Sequence, residues 1–190
     1  MILCSSNEIK IKEFKQILGD LIEIEEGKDL EEVMGTSEEV ILYKSILCGK
    51  GYVVEDTILE INGIEVVDIR SKVEDLKEGD KAVWITSLGY NNGEEIIIYR
   101  GIQEGIITRL RGDEGFDFDP YFIPKELFGT EDVGKIDIRN NTLSELNSKG
   151  MKTIYSARAK ALTNLIKDDR FLIESIENIP KWSGKYQIHH

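Results

Sequence analysis

The chain has 190 residues, 41% of them hydrophobic and 32% charged, with a formal net charge of −12. That length favours one domain with ample material for a core, and the composition is that of a soluble globular protein. Such an acidic balance excludes general binding to nucleic acid or anionic membrane, which both need a positive field, although a local basic pocket is compatible with it.

The elements follow in chain order. Met1–Cys4 reads as a short buried strand, and Ile11, Phe14, Ile17 and Leu18 keep helical spacing from Asn7 to Leu18, with Gly19 as terminator. Leu21–Glu25 alternates and reads as a strand. Thr36-Ser37-Glu38-Glu39 is a capping-box pattern ahead of a second helix closed by Gly49 and Gly51. Tyr52–Asp56 is a strand ending in two acids. Asn62-Gly63 predicts a tight hairpin, and Ser71–Glu78 a short helix. Two long β runs meet at Asn91-Asn92-Gly93, and Gly101 and Gly105 suggest bends in the second. Arg111–Pro124 is a loop leading into a short strand, and Lys125–Ser148 is irregular and polar. Met151–Ile166 reads as a helix with Ile154, Ala157, Ala161, Leu162 and Leu165 inward, and Phe171–Ile176 as a last short helix. No repeat, low-complexity tract or interdomain linker interrupts this α/β order.

Cys4 and Cys48 match no metal spacing and read as reduced cysteines of a cytosolic protein. The N-terminus lacks the basic region of a signal peptide, and no apolar run approaches the ~20 residues of a membrane span. The only histidines, His189 and His190, close the chain in the manner of a tag remnant. This argues against a Ser-His-Asp triad, a Cys-His pair or a histidine-ligated zinc site. An enzyme built this way works with carboxylates, lysines, arginines and a hard metal ion.

Four clusters can carry chemistry. Ser5-Ser6-Asn7 with Lys10 either caps a helix or grips a phosphate. Glu55-Asp56 either begins an exposed turn or binds Mg²⁺ at the carboxyl end of a strand. Adjacent strand residues face opposite ways, so one of the two acids reaches a given ion, and alternation alone does not say which. The loop "GFDFDPYF", residues 115–122, brings four aromatics that either stack on a base or fill the core. "KTIYSARAKA" places Lys152, Ser156 and Arg158 along one or two helical turns, as a plain surface helix also would.

Taken together and in order, these four stretches resemble the inosine triphosphate pyrophosphatase family, which hydrolyses deaminated purine nucleoside triphosphates. Ser5, Asn7 and Lys10 match its opening Thr/Ser-x-Asn-x-x-Lys pattern, and "VVEDTIL" its acidic strand. "GFDFDPYF" matches its base-binding loop, and "MKTIYSARAKAL" echoes its closing motif. "DLEEVMGTSEEVILYK" also fits the family's first metal-carboxylate region and the helix after it.

The resemblance implies an elongated mixed β-sheet flanked by helices, with two lobes and the active-site cleft between them. It implies one such domain over residues 1–190, with about 125–150 as an insertion and 167–190 as a C-terminal extension. Ser5, Asn7 and Lys10 would hold the triphosphate, with Lys44 and Lys152 also contacting phosphate or nucleotide. Glu32 and Asp56 would bind Mg²⁺, for which Mn²⁺ could substitute. Asp56 would act as base or water-orienting group, flanked by Glu55 and Thr57. Phe116, Phe118 and Asp119 would form the base and sugar pocket, with Ser156 and Arg158 at the purine edge. Ala157 stands where the family motif has histidine, which predicts a looser base pocket on that side.

The implied reaction releases a nucleoside monophosphate and pyrophosphate, in the cytoplasm, with a homodimer compatible. Two readings compete with it. One is the related septum-inhibitor-type nucleotide pyrophosphatase, with another base preference. The other is a catalytically weak nucleotide-binding protein.

Overall fold

The structure, a computed structural model, describes residues 1–190 except 22, 28–29, 67–74, 114–117, 130–138 and 189–190. The chain forms two compact units. One comprises Met1–Asp56, Thr86–Arg100 and Ala161–His190, the other Thr57–Ile85 and Gly101–Lys160. Among the described residues the α-helices and strands run in the order β1 Ile2–Ser5, α1 Glu8–Leu18, β2 Glu23–Glu26, α2 Ser37–Cys48, β3 Tyr52–Ile61, β4 Ile64–Glu65, β5 Lys81–Asn91, β6 Glu95–Ile107, β7 Phe122–Pro124, α3 Leu143–Ser148, α4 Ala157–Lys167 and β8 Leu172–Ser175. The strands make one mixed sheet in the order β2-β1-β3-β5-β6-β7, with β4 on β3 and β8 on β6. β1 is parallel to both β2 and β3, as expected where a helix supplies each crossover.

In the first unit, alternate residues of each strand feed opposite faces. Leu3 and Val53 pack with Phe14 and Leu18 of α1 and Leu162 of α4, while their neighbours Cys4 and Val54 pack with Ile41 of α2. Asn7 caps α1, its Oδ1 accepting from Ile9 N–H at 3.0 Å and Lys10 N–H at 3.1 Å. Thr36 and Glu39 complete the predicted capping box on α2.

The second unit is centred on Leu59, Trp84, Ile107, Phe118, Phe122, Leu127, Leu143 and Leu146. The Asn62-Gly63 turn between β3 and β4 takes the two positive φ values, 52° and 80°, that a tight hairpin requires.

Several expectations need correction. β3 does not stop at Asp56 but runs on to Ile61, so the acidic pair lies mid-strand. β6 passes through Gly101 and Gly105 without a break. At Gly105 a side chain would collide with the Phe122 ring and the Ile123 carbonyl, so this glycine permits close packing of β7. Lys125–Ser148 is only partly irregular: a 3₁₀ turn at Lys125–Leu127 and α3 deliver Leu127, Leu143 and Leu146 to the core. The predicted helix over Met151–Ile166 is a 3₁₀ turn at Lys152–Ile154 followed by α4, and Ile154 is 59% exposed. Phe171–Ile176 is mostly strand: Leu172–Ser175 pairs antiparallel with Glu95–Ile98. Most of the helix predicted at Ser71–Glu78 lies outside the described residues, and Leu76–Glu78 are not helical. Among the described residues no helix is long and apolar enough to cross a membrane.

Candidate active site

The predicted residues fall into two groups, one in each unit. In the first unit, Ser5 ends β1 and its Oγ accepts from Asn7 N–H at 3.3 Å. Asn7 Oδ1 accepts from two N–H groups at the start of α1, so Asn7 caps this helix. One turn into α1, Lys10 reaches back to the sheet, with Nζ 2.9 Å from Glu55 Oε2. The Glu55 side chain is 1% exposed.

The strand alternation decides what each acid of β3 faces. Glu55 lies on the side of Val53, toward α1, and pairs with Lys10. Asp56 lies on the side of Val54, toward α2. On that side Lys44 of α2 donates to Glu32 Oε1 at 2.6 Å and to the Glu55 carbonyl at 3.2 Å. Burial pulls the Lys44 ammonium down, but Glu32, with Asp56 and Glu55, more than compensates and raises it. Burial pushes the Asp56 carboxyl up to about 6, opposed by Lys44 and Lys10 and reinforced by Glu55 and Glu32. Two ammonium groups and three carboxylates thus act on one another, leaving a net charge of minus one.

Among the described residues no three His, Cys, Asp or Glu side chains gather into a metal cage. Asp56, with Glu32 although it is bonded to Lys44, offers the carboxylates that suit Mg²⁺, which is held by one or two carboxylates with water and phosphate oxygens completing its shell. The raised carboxyl of Asp56 has the same sense, because a buried carboxylate short of positive charge would be compensated by a cation.

In the second unit, Asp119 opens a 3₁₀ turn and its carboxylate lies 2.7 Å from Lys152 Nζ, both side chains under 10% exposed. Ser156 Oγ accepts from Ala159 N–H at 3.3 Å in the first turn of α4, and both Ser156 and Arg158 are buried. Thr57 follows Asp56 on β3 and is half-buried.

Phe118, expected at the base, is 1% exposed and belongs to the core beside Tyr121, at 5.9 Å between ring centroids. Phe116 lies outside the described residues. Ala157 is also in the core cluster, 5% exposed.

Two features were not foreseen. Arg100 of β6 donates to Glu38 Oε1 at 2.9 Å and to Ser87 Oγ at 3.3 Å, under the ring of Phe171. The C-terminal residues lie against the Glu32 segment, which only the unusual "PKWSG" run could have signalled.

A family model, "Ham1 family", matches residues 1–168. An inosine triphosphate pyrophosphatase of Ajellomyces capsulatus is 28% identical over 85% of the chain and 91% of the relative. A protein of the same name from Yarrowia lipolytica is 30% identical over 87% and 93%. A dITP/XTP pyrophosphatase of Korarchaeum cryptofilum is 25% identical over 65% and 78%. The Ham1 protein of Staphylococcus aureus superposes with a TM-score of 0.61 over 89% of the chain and all of the neighbour, at 20% identity, a likeness of fold.

Proposed function

Because the chain belongs to the Ham1 family, we propose that it is a divalent-metal-dependent nucleoside triphosphate pyrophosphatase that releases a nucleoside monophosphate and pyrophosphate. It is a hydrolase of acid anhydrides, as its curated relatives are named. Their names also support a deaminated or otherwise altered purine as the base. The observation that carries the reading is the group in the first unit, where Lys10 and Lys44 are oriented by Glu55 and Glu32 around the carboxylate of Asp56.

The chemistry follows from these side chains. Lys10 and Lys44 supply ammonium donors to phosphate oxygens, held in place before substrate arrives by their ion pairs. Glu32 and Asp56 would hold Mg²⁺, which supplies positive charge to the phosphates and lowers the pKa of bound water. A water attacks the α-phosphorus, the bond from that phosphorus to the bridging oxygen breaks, and pyrophosphate leaves. Asp56 orients the water and accepts its proton. Glu55 serves by anchoring Lys10. Ser5 and Asn7 shape the turn before α1. Asp119, Lys152, Ser156 and Arg158 of the second unit are assigned to the nucleoside.

The test is pyrophosphate release over a panel of standard, deaminated and modified nucleoside triphosphates with Mg²⁺. We expect turnover of inosine or xanthosine triphosphate and its loss in Lys10→Ala and Asp56→Asn. Orthophosphate as the sole product, or full activity in excess EDTA, would reject the assignment.

A further inference from the structure

We infer that the C-terminal tail, residues 180–187, is a positioning strap for Glu32; its consequence for metal binding rests on the reading of Glu32 as a metal ligand. This stretch lies beyond the residues matched to the family. It runs beside the segment before α2 and joins it by a single antiparallel bridge, Val33 with Tyr186. Gln187 N–H donates to the Glu32 carbonyl at 2.8 Å, and Met34 N–H donates to the Lys185 carbonyl at 2.9 Å. Gln187 Nε2 adds a bond to the Val33 carbonyl at 3.1 Å.

The strap is itself pinned. Trp182 Nε1–H donates to the same Lys185 carbonyl at 3.0 Å. Its ring meets Tyr43 of α2 edge-on, with centroids 5.1 Å apart, and Tyr43 Oη donates to the Pro180 carbonyl at 2.7 Å. Gly35 and Gly184 both lie so close to the Trp182 ring that a side chain at either would crowd it.

The geometry fixes Glu32 from two sides. Lys44 holds its carboxylate, and the strap holds its backbone. Tyr43 and Lys44, adjacent on α2, hold the strap and the carboxylate respectively, so helix, tail and candidate ligand share one frame. Without these holds, Glu32 would have to find its geometry at the moment of binding. Groups that orient a metal ligand in this way change metal affinity by roughly 10- to 100-fold when lost.

Gln187→Pro removes the N–H that bonds the Glu32 carbonyl, while Gln187→Ala keeps it. Trp182→Phe keeps an aromatic side chain beside Tyr43 but removes the bond to Lys185 and the part of the indole that Gly35 and Gly184 lie against. Two measurements are made on the full chain: amide exchange across residues 30–36, and Mn²⁺ binding followed by electron paramagnetic resonance. We expect faster exchange of the Met34 amide and Mn²⁺ affinity weakened roughly tenfold in Gln187→Pro. Trp182→Phe should shift both in the same direction by less, and Gln187→Ala least. In turnover assays the apparent Mg²⁺ requirement should rise, with kcat restored at saturating Mg²⁺.

Glu32→Gln, measured alongside, separates the possible failures. Weak Mn²⁺ binding in Glu32→Gln with native binding and exchange in Gln187→Pro and Trp182→Phe overturns the strap alone. Unchanged Mn²⁺ binding in Glu32→Gln as well overturns the metal site and, with it, the strap's role there.

Discussion

At the scale of single residues, Asp56 shows how a functional demand conflicts with stability. In the metal-free protein burial raises its carboxyl to about 6, above its ordinary value of 3.8. Below about pH 4 the group is protonated both folded and unfolded, and it makes no difference. Between about 4 and 6 the folded state keeps a proton that the unfolded chain has lost, so stability falls as pH rises. Above 6 the full penalty applies, at most about 3 kcal/mol for a shift of roughly two units. Asp56→Asn should therefore abolish turnover yet raise the urea midpoint of the metal-free protein at pH 7.5, with the gain vanishing near pH 4. An Asn variant less stable than native at pH 7.5 would mean that the charge of Asp56 is structural. The residue types at this site were legible from the sequence, but their division of labour was not. Alternation required that Glu55 and Asp56 face opposite ways; only the packing of α1 against one face and α2 against the other shows that Lys10 claims Glu55. Phe118 and Ala157 add that a motif resembling a base pocket also supplies core residues, which its residue types alone do not reveal.

At the scale of elements, the strongest local signals held. Asn7 and Thr36 cap their helices, Asn62-Gly63 turns a hairpin, and Asn91-Asn92-Gly93 joins β5 to β6. In each case a side chain or a positive φ acts within a few residues, so the sequence carries the whole cause. The elements misread have distant causes. Leu172–Ser175 becomes a strand because β6 offers it an edge, and Ser156 interrupts the expected helix by capping α4 anew. Gly105 belongs to the same class: its reason is Phe122, seventeen positions away. Gly105→Ala should destabilise the fold by about 1–3 kcal/mol, the usual range for overpacking, because backbone as well as ring stands in the way. Thermal denaturation checks this. A melting temperature within a degree of native would show that β7 can move aside at little expense. Phe122→Leu combined with Gly105→Ala should recover only part of the loss, since the Ile123 carbonyl stays in place.

At the scale of the whole molecule, charge decides how substrate can bind. The chain carries −12, and the group around Asp56 is itself at minus one, because each candidate phosphate-binding lysine already faces a carboxylate. A nucleoside triphosphate brings several more negative charges, and the described side chains of that group offer no net positive charge to meet them. A divalent ion reverses the local sign from minus one to plus one. The two ligands should therefore be strongly linked, each tightening the other by the same factor. A non-hydrolysable triphosphate analogue at about 100 times its Kd should stabilise the fold by about 2.7 kcal/mol with Mg²⁺ present. In EDTA the same concentration should give little or no rise in melting temperature. Higher salt should weaken the pairing with Mg²⁺, since screening acts on the exposed phosphates more than on the buried lysine pairs. An analogue that raises the melting temperature equally in EDTA would show that Lys10 and Lys44 leave their carboxylates to bind phosphate unaided, and that Glu32 and Asp56 have another task.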